Sequence, residues 1–215
     1  MSDRGLTFRF EDAAFRRRLN EIVGKTKRPE GMMRVAGREL GNQLKKHFRR
    51  RDEDSPNHLS ERRSHFWLEI GRSVNDPQLE SPTMVSVSIS DPRFAQKLFG
   101  GTIRAKEADA LTIPVEERAY DRRADTFERE TGLKLFIVKI GGTKANNLEN
   151  AVLAVSDPAS PNHITVEYLL TKSVDQKADT EALPEKAKLE SAIIARCQKA
   201  LDRELQTPGQ TGTNP

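Results

Sequence analysis

Cysteine occurs once in the 215 residues, tryptophan once and tyrosine twice. A lone Cys197 makes no internal disulfide and supplies no thiolate cluster, so a reducing compartment is expected and cysteine-built zinc sites are excluded. No run approaches 18 consecutive apolar residues, so no membrane span is expected. Met1-Ser2-Asp3-Arg4-Gly5 lacks the basic-then-apolar order of a secretory leader. Charge of one sign is also in short supply: 36 Lys and Arg against 32 Asp and Glu leave a net of +4. Apolar residues reach only 35%, yet a disordered chain would pair that with a large net charge, which is missing. A soluble, surface-rich, metal-free chain is expected.

Catalytic constellations are sparse as well. His47, His58, His65 and His163 form no short-spaced pair with one another or with Cys197 of the kind metal sites use. Gly100-Gly101 and Gly141-Gly142 are only dipeptides, without the following Lys-Ser or Lys-Thr of a phosphate loop. They read as turns that need positive φ. Asp52-Glu53-Asp54 and Glu116-Glu117 are adjacent carboxylates in polar stretches, whereas acid–base work needs two that converge from distinct environments. No Gly-x-Ser-x-Gly elbow occurs. No enzyme and no cofactor are expected, and a small-molecule enzyme ranks last among the readings.

What the chain does have is local charge. Residues 1–75 hold 18 Lys and Arg against 11 Asp and Glu, and residues 76–215 hold 18 against 21. Arg16-Arg17-Arg18, Lys45-Lys46-His47-Phe48-Arg49-Arg50-Arg51 and Arg62-Arg63 carry the excess. Lys45, Lys46, Arg49, Arg50 and Arg51 are the candidate basic contact face, for an acidic protein surface or for phosphate backbones. Phe48, Phe66 and Trp67 fall on apolar stripes and read as core rather than as stacking platforms for bases.

Hydrophobic periodicity predicts an α+β fold: an antiparallel sheet of four to six strands, flanked by N-terminal helices and a C-terminal amphipathic helix. Glu11–Val23, Gly31–Arg51 and His65–Val74 read as helices, after a short extended Phe8-Arg9-Phe10. Asp52–Leu59 reads as a polar loop. Val85, Val87 and Ile89 alternate with serines as a strand does. Phe94–Phe99 is helix-compatible. Thr102–Arg104 and Leu111–Val115 read as the two arms of a hairpin, and Leu133–Ile140, Ala151–Ser156 and Ile164–Thr171 as strands. Leu189, Ile193, Ile194, Cys197 and Leu201 form one helical stripe, expected to pack on the sheet. One domain is expected over 1–205: a basic helical part (1–75), a strand-rich part (80–175) and a C-terminal helix (184–205). Residues 206–215 read as a disordered tail.

Two segments resemble a known family. The first runs His47-Phe48-Arg49-Arg50-Arg51, Ser55-Pro56-Asn57-His58-Leu59, then Arg62-Arg63-Ser64-His65-Phe66-Trp67. The second is Phe94-Ala95-Gln96-Lys97-Leu98-Phe99-Gly100-Gly101-Thr102-Ile103-Arg104 followed by Ala108-Asp109-Ala110-Leu111-Thr112-Ile113-Pro114-Val115. Together, with a weaker echo in Tyr168–Val174 and Ala182-Leu183-Pro184, they resemble the phage virion morphogenesis (tail completion) family over residues 30–205. The resemblance implies a structural virion protein of a tailed phage or prophage, located in the virion and, during assembly, in the host cytoplasm. It would form a homo-oligomeric ring at the head–tail junction or upper tail, as tail terminator, tail-completion protein or neck adaptor. Its partners would be other neck and tail proteins, with non-specific contact to packaged DNA and no membrane. Gly100, Gly101, Thr102, Ile103, Arg104 and Lys106 are the candidate assembly arm. A basic, non-specific nucleic-acid-binding protein is the alternative.

Overall fold

The structure is a computed structural model that describes residues 6–7, 13–26, 28–55, 57–59, 62–106, 108–140, 151–157 and 160–206. In chain order its elements are β1 (Leu6–Thr7), α1 (Ala13–Lys25), α2 (Pro29–Asp54), β2 (Asn57–Leu59), β3 (Arg62–Ser64), α3 (Phe66–Arg72), β4 (Gln78–Ser81), β5 (Met84–Ser86), β6 (Ser88–Ile89) and α4 (Pro92–Phe99). There follow β7 (Gly101–Arg104), β8 (Leu111–Pro114), a 3-10 turn (Glu117–Ala119), α5 (Ala124–Thr131), β9 (Phe136–Lys139), β10 (Ala151–Asp157), β11 (Ser160–Thr171), β12 (Ser173–Gln176) and α6 (Lys186–Gln206). The fold is α+β, with antiparallel pairing throughout the described ladders. The expected extended Phe8–Phe10, the Gly141-Gly142 turn and residues 207–215 of the expected tail lie outside the described residues, whereas Gln206 closes α6.

The sequence reads as one domain over 1–205; the contacts gather into two compact units, neither a continuous stretch. Unit 1 comprises 1–56, 65–98 and 179–215, and unit 2 comprises 57–64 and 99–178.

Unit 1 is built on α2. Pro29 opens this helix at a position where its missing N–H and preset φ do no harm. The stripe Met33, Ala36, Leu40, Leu44 and Phe48 is buried as its spacing predicts. Phe48, fully buried, stacks on Trp67 at 6.0 Å between centroids and meets Phe94 edge-on at 5.4 Å. Those contacts fix α3 and α4 on α2. Leu189, Ile193, Ile194, Cys197 and Leu201 of α6 join the same core, packing on α2 and α1. The stripe expected to cover a sheet thus meets helices, because the long apolar face of α2 is the complementary surface next to it in this unit. Burial pushes the Cys197 thiol up to about 11, helped by the Glu39 carboxylate, which keeps it an unreactive core thiol.

The β4–β5 hairpin rests on α2 at Gly37, where a Cβ would stand 2.6 Å from Pro77 Cβ and from Val85 Cγ2. Helix and hairpin approach this closely only because position 37 has no side chain.

Unit 2 holds a four-stranded sheet in the order β8-β11-β10-β9. One face packs Tyr168 and Val155 on Ala119 and on Phe127 of α5. Leu153 pairs with Tyr168 and Ala154 with Val166, so Glu167 is an extra residue, a β-bulge. Its fully buried carboxylate accepts a bond from Arg118 Nε at 2.6 Å, which offsets the desolvation of the charge. α5 was not legible beforehand: Phe127 is its one buried residue, too little for a period.

Candidate assembly surface

The arm region begins where α4 ends. Phe94 is fully buried and anchors that helix, and the chain then turns on Gly100 and Gly101, with φ of +69° and +119°. Both angles are in the region glycine adopts without strain, as the dipeptide predicts. At Gly100 a Cβ would lie 2.6 Å from Ala178 N and Gln176 O. This turn therefore needs glycine for space as well as for φ.

β7 leaves the turn, and Gly101, Thr102, Ile103 and Arg104 are all exposed. Here the structure departs from the expected hairpin. β7 pairs with β12, Arg104 opposite Ser173 and Thr102 opposite Asp175, while β8 pairs with β11, Leu111 opposite Thr171. Thr102 Oγ1 donates to Asp175 Oδ1 at 2.6 Å across the pair. β7 and β8 thus run in succession along one long partner, β11–β12. Lys172 alone separates the two partner strands, whereas six residues, 105–110, separate β7 from β8. Lys106 lies exposed in that excess segment. The physical reason is propensity: the 105–110 stretch is alanine and charge, without the β-branched residues that favour a ladder.

The two-stranded sheet β12-β7 leaves β7 paired on one side only among the described strands. A two-stranded ribbon is marginal in water, and an edge strand presents main-chain groups to a further strand.

The candidate basic face divides when placed on α2. Lys45, Lys46, Arg49 and Arg50 are exposed. Arg51 is not part of that face, which corrects the sequence reading. Its Nη2 donates to Asp179 Oδ2 at 2.7 Å and its Nη1 to Glu181 Oε2 at 2.8 Å, with the guanidinium 4.9 Å from the Trp67 ring centroid. His47, one turn earlier, donates from Nε2 to Glu181 O at 3.1 Å. Residues four apart share a helix face, so His47 and Arg51 clasp the 179–181 segment while Lys45, Lys46, Arg49 and Arg50 stay exposed. Desolvation holds the His47 imidazole below its ordinary pKa, and Arg50 and Arg51 add to the effect.

One pair escaped sequence reading. Asp52, read as loop, sits in the last turn of α2, buried, and accepts a bond from Nδ1 of the exposed His65 at 2.9 Å. Only the closure of α3 onto α2 brings residues 52 and 65 together. Among the described residues no three His, Cys, Asp or Glu side chains are arranged to hold a metal ion, and no helix is long and apolar enough to cross a membrane.

A scan against protein-family models matches none, and searches of the curated proteins and of the solved structures give no match either.

Proposed function

We propose that this chain is a structural virion protein of a tailed phage or prophage, forming a homo-oligomeric ring at the head–tail junction or upper end of the tail. It acts by subunit–subunit contacts and without catalysis. The observation that carries this reading is β7: an exposed strand on a glycine turn, whose residues 102–104 pair with β12 alone among the described strands, in the segment with the strongest family resemblance. A strand added to that edge gains affinity from main-chain hydrogen bonds. Exposed apolar side chains support the same reading. Apart from Met84 and Leu205, the large ones among the described residues belong to unit 2, with Ile103, Ile137, Ile164 and Leu169 among them. Such a concentration marks interaction surfaces. A ring needs a donating and a different receiving surface on each subunit.

The test uses proline. Successive residues of an antiparallel strand direct their N–H groups to opposite edges, so one of Thr102→Pro and Ile103→Pro spares the β12 ladder and blocks the outer edge. The full chain is expected to form rings when concentrated, seen by electron microscopy and sedimentation. The better-folded of the two variants should keep the wild-type denaturation midpoint and form none. Rings from both folded variants, or a strictly monomeric wild type that never enters particles, would overturn the proposal.

A further inference from the structure

The cations of α2 extend well beyond the Lys45–Arg51 run. At 3.6 residues per turn, Arg34, Arg38, Lys45 and Arg49 fall within about 60° of one another around the axis, over a length of about 22 Å. All four are exposed, as are Lys46 and Arg50 beside them. None of the six side chains makes a hydrogen bond or ion pair among the described residues. Between Arg34 and Arg51 the helix carries one acid, Glu39, half-buried and accepting from Gln43 Nε2 at 2.7 Å. By the same geometry it lies on the flank of the helix that carries Lys46 and Arg50, outside the four-residue stripe, and its charge acts on Cys197 of α6.

We propose that the solvent face of α2 binds the phosphate backbone of duplex nucleic acid, with Arg34, Arg38, Lys45 and Arg49 as the contact stripe and Lys46 and Arg50 flanking it. This surface lies in unit 1 and does not depend on the β7 reading. Three features favour a duplex over an acidic protein segment. The stripe is straight and held rigid by the buried opposite face of α2, and duplex DNA is a comparably straight polyanion with one charge per about 1.7 Å of axis. A flexible acidic peptide would lose conformational freedom to match it. Four of the six cations are arginines, whose forked donors fit phosphate oxygens. Phe48 and Trp67 are buried and the half-buried Phe66 packs edge-on against Trp67, so these aromatics serve the core and none is a free stacking platform for single strands.

The experiment is fluorescence anisotropy of labelled 20-base-pair duplexes of two unrelated sequences with the full chain. Four phosphate contacts give a slope of log K on log salt of about −3.6, or about 150-fold weaker binding at 200 mM than at 50 mM salt. The two sequences should bind alike. Arg38→Glu with Lys45→Glu should weaken binding at least ~10-fold and flatten the slope by about 2. Lys188→Glu with Lys199→Glu, the same change in net charge placed on exposed positions of α6, should shift it less than ~3-fold. If the α2 glutamates disturb folding, Arg38→Gln with Lys45→Gln serves in their place. Equal losses from both pairs, no binding at 50 mM salt, or stronger competition by polyglutamate than by unlabelled duplex of matched charge would each overturn the proposal.

Discussion

Two glycines one turn apart on α2 should respond to the same substitution with opposite signs. In a helix interior, Gly→Ala gains about 1 kcal/mol from backbone entropy and propensity. At Gly41 nothing opposes that gain, because the nearest atom to an added Cβ is Val74 Cγ1 at 4.0 Å, an ordinary contact. At Gly37 the new methyl would sit 2.6 Å from both Pro77 Cβ and Val85 Cγ2. Val85 has a second rotamer to offer, but the Pro77 ring is rigid, so relief requires moving the chain that enters β4. Overpacking of this kind costs roughly 1–3 kcal/mol. Net of propensity, Gly37→Ala should destabilise by up to about 2 kcal/mol and Gly41→Ala should stabilise by up to about 1 kcal/mol. Denaturant unfolding monitored by Trp67 fluorescence reads both, as midpoints shifted in opposite directions at constant slope. A Gly37→Ala chain as stable as Gly41→Ala would mean that α2 and the β4–β5 hairpin do not approach as described.

Ile193→Ala, at a position 2% exposed, should cost roughly 2–5 kcal/mol; a loss under about 0.5 kcal/mol in denaturation would remove α6 from the core. Arg51→Lys keeps the charge and loses the fork, and should cost about 1–2 kcal/mol. Most of that should come from Asp179, 18% exposed, and little from Glu181, 81% exposed, so Glu181→Gln alone should be nearly silent in the same melts. Because burial lowers the folded-state pKa of His47, the unfolded chain takes up its proton first. Its contribution to stability is complete above about pH 6.5 and declines as pH falls from there toward the folded value. His47→Gln should flatten that part of the stability–pH curve, and an unchanged curve would refute the desolvation. Deleting residues 106–110 leaves Ala105 opposite Lys172 and makes β7–β8 one continuous strand along β11–β12; stability should change by no more than about 1 kcal/mol. A collapse of folding in circular dichroism would refute the registers.

How much of this molecule was legible in its sequence follows from how local each cause is. The stripes of α2 and α6, the buried Phe48 and Trp67, and positive φ at Gly100 and Gly101 all follow from spacing within one element. An apolar face needs burial somewhere, and a glycine pair after a helix serves a turn, whatever the rest of the chain does. The α+β class followed from the same local periods. Partner choice is not local. Thr102–Arg104 and Leu111–Pro114 are equally strand-like as two arms of one hairpin or as successive segments on one partner. Their pairing with Ser173–Gln176 and Tyr168–Thr171, some seventy and fifty-five residues away, is decided by the tertiary fold, because the β11–β12 run offers both a ladder and 105–110 offers none. Likewise three consecutive arginines are chemically identical in sequence. Helical geometry and the acidic 179–181 segment, distant in the chain, turn Arg51 inward and leave Arg49 and Arg50 in water.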